Sequence, residues 1–149
     1  MKPFHPRGDL FPPVTGEPAD LCDRLHADLD LRDDAAILHV CGEADAYTQS
    51  RWRRILDIAI TAAADSGHLV VDLSSTQFIG CRPILDLADR AQQGLTRGVQ
   101  VSVLNPFPNV VDRVVTVAGL TEWLPVHETM DQALSAAPAL VVVSVPGSR

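Results

Sequence analysis

Lysine is almost missing from this 149-residue chain, and Lys2 is its single example. A P-loop needs a lysine on the phosphates and Schiff-base chemistry needs one as nucleophile, so neither has a candidate outside the N-terminal tail. No G-x-S-x-G elbow is present either, which removes serine hydrolase chemistry of that type. Cysteine is sparse: Cys22, Cys41 and Cys81 form no C-x-x-C pair and no disulfide framework. The five histidines (His5, His26, His39, His68, His127) fall into no H-x-x-x-H or H-x-x-E-H pattern. His39 and Cys41 share only one face of a strand, so no metal site and no cofactor are expected. The longest apolar stretch, PALVVVSVP near the C-terminus, is much too short to span a bilayer, and the N-terminal residues lack the apolar core of a signal peptide. The expectation is a cytoplasmic protein that is not an enzyme. A net charge of -7 weighs against nucleic acid or an anionic membrane as partner.

What is present is an ordinary globular composition, 46% apolar and 21% charged, at a length suited to one domain. Residues 1–20 carry five prolines (Pro3, Pro6, Pro12, Pro13, Pro18) and read as a flexible arm with little to bury. Residues 25–32 partly alternate, with Leu25, Ala27, Leu29 and Leu31 on one face; Asp33-Asp34 supply a turn, and 37–41 form a second strand, predicting a β-hairpin. Trp52, Ile55, Leu56, Ala59, Ala62 and Ala63 recur at helical spacing within 47–64. Leu69-Val70-Val71 has the unbroken apolar character of a strand buried on both faces.

A second helix follows, with Ile84, Leu87, Ala88, Ala91 and Leu95 on one face and Asp86, Asp89, Arg90 and Gln93 turned away. A strand over 99–104 comes next. Val110, Val111, Val114, Val115 and Ala118 mark a third helix with Gly119 as its left-handed cap. A short strand around Trp123-Leu124 and a helix over 130–136 complete a β-β-α-β-α-β-α-β-α order. The predicted fold is α/β, one domain over 21–137 with a mixed, mostly parallel sheet. Residues 138–149 form a C-terminal extension in which ALVVVSV either adds an edge strand or covers the open sheet face.

The stretch DLSSTQFIGCRP (72–83) carries a strand end into a helix start, where an α/β protein commonly places its site. Leu38 to Asp45, LHVCGEAD, resembles the "strand, Gly-Glu-Leu-Asp" segment of the STAS domain. Val70-Val71-Asp72-Leu73-Ser74 with Phe78-Ile79 is similar to that family's "Val-Asp-Leu-Ser … Phe-Ile-Asp-Ser-Ser-Gly", and 99–105 with 110–120 is similar to its closing strand and helix. The resemblance covers about residues 25–136. It implies a bacterial anti-sigma factor antagonist, a class in which a kinase-like anti-sigma factor phosphorylates the second serine of Asp-Ser-Ser-Gly and so abolishes binding.

Carried over by position, that Asp falls on Gly80, the first Ser on Cys81, the acceptor Ser on Arg82 and the Gly on Pro83. None of the four is kept, so no phospho-acceptor is expected there. A phosphoserine would bring about -1.5 to -2 charges; Arg82 brings a fixed positive one. Pro83 suits the first position of a helix.

The implied role is a non-enzymatic regulator that binds an anti-sigma factor or related regulatory protein. The surface expected by analogy comprises Gly80, Cys81, Arg82, Pro83, Asp86, Asp89 and Arg90, with Glu43 and Asp45 from the neighbouring loop. Alternatives are a small anion- or nucleotide-sensing module, and a redox response through Cys81. Cys81 reads either as a small filler or as a thiolate favoured by the helix start and Arg82. Arg82 is solvated, paired with Asp86, or turned to a partner carboxylate or phosphate. Ser74, Ser75 and Thr76 read as turn residues bonding their own backbone, with a displaced phosphorylation site as the sharper reading. Arg51, Arg53 and Arg54 read as a solvated helix face, Trp52 as core, and Trp123 as core or interface anchor. A monomer or weak homodimer is expected.

Overall fold

The computed structural model describes residues 11–107, 110–120 and 124–135. The elements are α1 (Leu21–Arg24), β1 (Leu25–Leu31), β2 (Ala36–Ala44), α2 (Gln49–Ala62), β3 (His68–Ile79), α3 (Cys81–Thr96), β4 (Gln100–Leu104), α4 (Val110–Val117), β5 (Val126–His127) and α5 (Met130–Ser135). They build one five-stranded sheet in the order β1-β2-β3-β4-β5. The β1–β2 hairpin is antiparallel and every later pairing is parallel, as the pattern predicted.

Leu25, Ala27 and Leu29 are buried while His26 and Asp28 are exposed, so β1 is a half-covered strand. β3 has no such alternation at its start, because both faces are covered. On one side Leu69, Val71 and Leu73 meet Trp52, Ile55, Leu56 and Ala59 of α2, Ile84, Leu87 and Ala91 of α3, and Val111 and Val115 of α4. On the other, Val70 joins Ile37 and Leu104 beneath Ala133 of α5, with Met130 and Leu134 packed around them. Each buried aliphatic or aromatic side chain contributes about 1.5–3 kcal/mol through removal of its surface from water. Trp52 is fully buried, as expected, and its indole N–H donates to the Pro83 carbonyl at 2.9 Å. That bond pins the start of α3 to α2. Gly119, at φ +71°, ends α4 in the left-handed conformation that a side chain would resist.

Several expectations are corrected. The stretch 74–79 is not a turn: β3 runs on to Ile79, and the extra residues are absorbed as irregularities in its pairing with β2 between His39 and Cys41 and between Gly42 and Glu43. Of the local backbone bonding read from the sequence, Thr76 shows it, its hydroxyl donating to the Leu73 carbonyl at 2.7 Å, whereas the Ser74 hydroxyl donates to the Asp72 carboxylate at 2.6 Å. α3 begins at Cys81, so Pro83 is its third residue; its missing N–H is still among the first four that a helix leaves without an internal partner. The short fifth strand lies at Val126–His127, just after the 123–124 pair around which the sequence places it. Trp123, Ala136 and residues 138–149 lie outside the described residues.

The N-terminal arm is corrected over its described part. Phe11 is 2% exposed and belongs to the main core, and the Glu17 carboxylate pairs with Arg54 at 2.8 Å. Arg51, read as solvated, is 1% exposed; its Nε donates to the Leu25 carbonyl at 2.6 Å and its Nη1 to the Phe11 carbonyl at 2.9 Å. Proline content made this segment look unable to pack. Phe11 in the core, the Arg51 bond to its carbonyl and the Glu17–Arg54 pair hold it against the domain.

Candidate functional site

The loop after β2 and the turn after β3 meet because both leave the same end of adjacent parallel strands. Glu43 lies opposite Phe78, Ala44 opposite Ile79, and the Gly80 N–H donates to the Ala44 carbonyl at 2.9 Å. Glu43 and Asp45 are thus brought beside 80–83, as the sequence reading required. Gly42 shapes the loop: its φ is +108°, and a Cβ there would collide with the Arg24 carbonyl oxygen.

The charges of this loop are answered within the chain. Arg24 Nη2 lies 3.2 Å from Glu43 Oε1 and 3.5 Å from Asp45 Oδ2. The same guanidinium sits 4.8 Å over the Tyr47 ring, and the Tyr47 hydroxyl donates to Asp20 at 2.8 Å. That hydrogen bond to Asp20, and next burial, raise the Tyr47 pKa. Thr48 locks the loop from below, donating to the Glu43 carbonyl at 2.9 Å while its own N–H donates to Asp45 Oδ1 at 3.0 Å. Arg24 was not singled out in the sequence, because nothing in its spacing foretells that α1 folds back onto residues 43–47.

The first turns of α3 divide into buried and exposed parts. Pro83 is buried. Asp86, expected on the exposed side, is 7% exposed, because that side of α3 faces α2: it accepts from Gln49 Nε2 at 2.9 Å and from Arg53 Nη2 at 3.2 Å. It makes no bond to Arg82, the pairing that is one of the alternatives for that arginine. Arg90 forms a bridge back to α2, with Nε 2.9 Å and Nη2 3.4 Å from the Asp57 carboxylate. That hydrogen bond raises the Arg90 pKa. Asp89 is exposed and engaged by Arg90 and Gln93 at 3.2 and 3.0 Å.

Gly80, Cys81 and Arg82 do reach the surface, and two apolar side chains join them. Cys81 is exposed, whereas Cys22 and Cys41 are partly covered. Phe78 is 53% exposed and Leu85 39%. A Cβ on Gly80 would lie 3.5 Å from the Phe78 ring and 3.7 Å from Pro83 Cδ, so the Phe78 ring stands directly over the turn. Nothing in that geometry demands glycine. Leu85 had a sequence signal that the helical pattern alone passes over: it is a leucine off the Ile84–Leu87–Ala88–Ala91 stripe.

On the β2–β3 seam, His39 Nδ1 lies 2.8 Å from Asp72 Oδ2. The hydrogen bond to Asp72 raises the His39 pKa against partial burial, with Asp30 and Asp28 adding to it. Burial would raise Asp72, but hydrogen bonds from His39 and Ser74 outweigh it and hold the carboxyl below its usual range. His68 is lowered by burial and donates to or accepts from Ser102 at 3.0 Å. No group of three or more His, Cys, Asp or Glu that could hold a metal occurs among the described residues, and none of their helices is long and apolar enough to cross a membrane.

A mixed, mostly parallel sheet backed by α2, α3 and α4, with an amphipathic helix starting beside the loop of the neighbouring strand, is the architecture of the STAS domain. The STAS domain family model matches residues 26–133, and the chain belongs to that family. It is 32% identical over 125 residues to Rv2638 of Mycobacterium tuberculosis, a protein that bears the name of an anti-anti-sigma factor, with 84% of each chain covered. It is 35% identical over 112 residues to the anti-sigma-F factor antagonist RsfA of the same species, covering 75% of this chain and 87% of RsfA. The crystal structure of an anti-sigma factor antagonist from Mycobacterium paratuberculosis shares the fold with a TM-score of 0.63 at 23% identity, over 77% of this chain and 95% of that one. The unphosphorylated antagonist SpoIIAA shares it with a TM-score of 0.57 at 18% identity, over 76% and 96%. Relatives of this chain are thus anti-sigma factor antagonists, which supports a regulatory, protein-binding role.

Proposed function

We propose that this chain is an anti-sigma factor antagonist whose binding is not switched by phosphorylation at the start of α3, and that it works without catalysis or cofactor. The observation that carries the reading is Arg82: it is exposed in the first turn of α3, at the position where the family resemblance places the acceptor serine. A guanidinium has no hydroxyl to phosphorylate, and its charge is opposite in sign to the phosphate it would replace. The docking surface is the exposed part of the turn, Gly80, Cys81 and Arg82, together with Phe78 and Leu85. Glu43, Asp45, Asp86 and Arg90 hold the scaffold behind it, and Asp89 lies at its margin. Control then falls to the amount of the protein or its partner.

Capture from the native host with the purified chain as bait is expected to recover an anti-sigma factor, and Arg82→Glu to lose it. Incubation of that complex with ATP, followed by peptide mass mapping, is expected to show no phosphate on residues 80–83. Recovery of no anti-sigma factor overturns the reading. Stoichiometric phosphate on Ser74, Ser75 or Thr76 shows that the switch has moved along β3 and overturns the unswitched form of it.

A further inference from the structure

The arginines whose side chains are described are almost all spoken for. Arg24 holds Glu43 and Asp45, Arg32 holds Asp30, Arg53 holds Asp86, Arg54 holds Glu17 and Arg90 holds Asp57. Arg51 is buried on two backbone carbonyls, and Arg97 donates to the Thr61 hydroxyl at 3.1 Å. Among the arginines whose side chains are described, Arg82 alone has no hydrogen bond or ion pair. In a chain with a net charge of -7, with Asp86 and Asp89 on the same helix, an unpaired guanidinium is not explained by a shortage of carboxylates. Its neighbours are already taken: Asp86 is turned to α2 and Asp89 to Arg90 and Gln93.

The same surface carries exposed apolar area. Phe78, over the turn, and Leu85, one helical turn after Arg82, are two of the larger exposed apolar side chains of the described residues. Aromatic and arginine side chains side by side, with little competing charge, are the composition of an interface anchor rather than of ordinary solvated surface.

We propose that Phe78, Arg82 and Leu85 receive a partner segment in which apolar side chains flank an aspartate or glutamate, the carboxylate pairing with Arg82 and the apolar groups covering Phe78 and Leu85. The proposal rests on the reading of this surface as a protein-docking site and names the chemistry that it takes. A guanidinium offers two parallel N–H donors to a carboxylate, so the pairing fixes register as well as charge. It also sets the selectivity: a partner with lysine or arginine at that point meets a like charge and is rejected.

The test needs no knowledge of the natural partner. A phage-displayed library of random peptides is selected on the full chain and, in parallel, on Arg82→Glu. The wild-type pool is expected to be rich in aspartate or glutamate beside leucine, phenylalanine or similar residues, and the Arg82→Glu pool to exchange the acidic residue for a basic one. Synthetic peptides from the wild-type pool are expected to bind Arg82→Ala about tenfold to a hundredfold more weakly, and to shift amide resonances over 78–89. A pool without acidic enrichment, an unchanged pool on Arg82→Glu, no binding pool, or shifts centred on the β1–β2 hairpin overturns the proposal. Inorganic phosphate is titrated in the same experiment; if it binds at Arg82 more tightly than the peptides do, the site is one for a small anion and the proposal falls. Acidic peptides bound at Arg82 together with failure to capture an anti-sigma factor would sink the proposed function and leave the peptide chemistry standing. Circular dichroism of each variant confirms that the exposed substitutions leave the fold intact.

Discussion

Two neighbouring pieces of chain, the 42–48 loop and the 78–85 turn, leave the same end of the sheet and stay joined by the last β2–β3 pairings and the Gly80-to-Ala44 hydrogen bond, yet their polar groups meet opposite fates. In the loop, Glu43 and Asp45 are held by Arg24, and Thr48 ties the backbone below them. In the turn, Arg82 has no partner among the described residues, and Phe78 and Leu85 face solvent. The lesson is that charge count is a poor guide to a binding surface. The loop is richer in carboxylates, but a partner would have to displace Arg24 to use them; the turn has one charge, and it is available. The difference begins in α1, which brings Arg24 back over the loop and brings nothing over the turn.

The largest test of this contrast removes what holds the N-terminal segment against the domain. Phe11→Ala is expected to cost about 3–5 kcal/mol in urea unfolding, the scale for a buried phenylalanine, and to loosen Arg24 and the loop with it. A loss close to zero would return residues 11–20 to a flexible arm and leave Arg24 without its support. Asp86→Ala comes next, at about 1–3 kcal/mol, because Gln49 and Arg53 lose their acceptor between two helices. If its cost is negligible and partner binding falls instead, Asp86 belongs to the docking surface after all.

An acid titration probes the seam behind the site. The raised His39 pKa means that its contribution is complete below the ordinary histidine value of about 6.5 and is lost as pH rises through the higher folded value. The lowered Asp72 pKa means that its contribution is present above the ordinary carboxylate value of about 3.9 and is lost as pH falls through the lower folded value. The pair therefore stabilises over the interval between these limits. His68 acts in the other sense, since its lowered pKa makes acidification below about 6.5 favour the unfolded chain. Histidine resonances followed by NMR are expected to titrate above the ordinary value for His39 and below it for His68, and Asp72→Asn is expected to return His39 towards the ordinary value. A His39 midpoint unchanged by Asp72→Asn would remove the pair from the account.

The smallest effects belong to the turn itself. Arg82→Ala is expected to change stability by less than about 0.5 kcal/mol, as for a surface substitution with no partner lost, in contrast to Asp86→Ala four residues on. Cys81 is expected to react with iodoacetamide faster than Cys41, on exposure alone. A protected Cys81 would mean that the turn is covered, and the docking surface would have to move.

The element order, the antiparallel hairpin followed by parallel strands, and the helical stripes of α2 and α3 were legible in the sequence, and the 72–83 stretch is where it leads one to expect a site. Those are readable because periodicity reports which faces are dry, and glycine, proline and aspartate pairs mark where the chain must turn. Residue identity alone also excludes a hydroxyl at Arg82, the position onto which the family resemblance carries the acceptor serine. Which charges are free depends on how the helices pack. Arg51 and Arg82 are the same residue type on helices of similar pattern, yet one is buried on the carbonyls of Leu25 and Phe11 and the other has no partner among the described residues. Asp86 and Asp89 look alike in the sequence, and the packing of α2 against α3 buries one and leaves the other at the surface. The cause is that a charged group's partner lies 19 to 40 residues away along the chain in the contacts that matter here, Arg24–Glu43, Arg53–Asp86 and Arg51–Phe11 among them. Local spacing cannot encode a neighbour that only the folded sheet brings near.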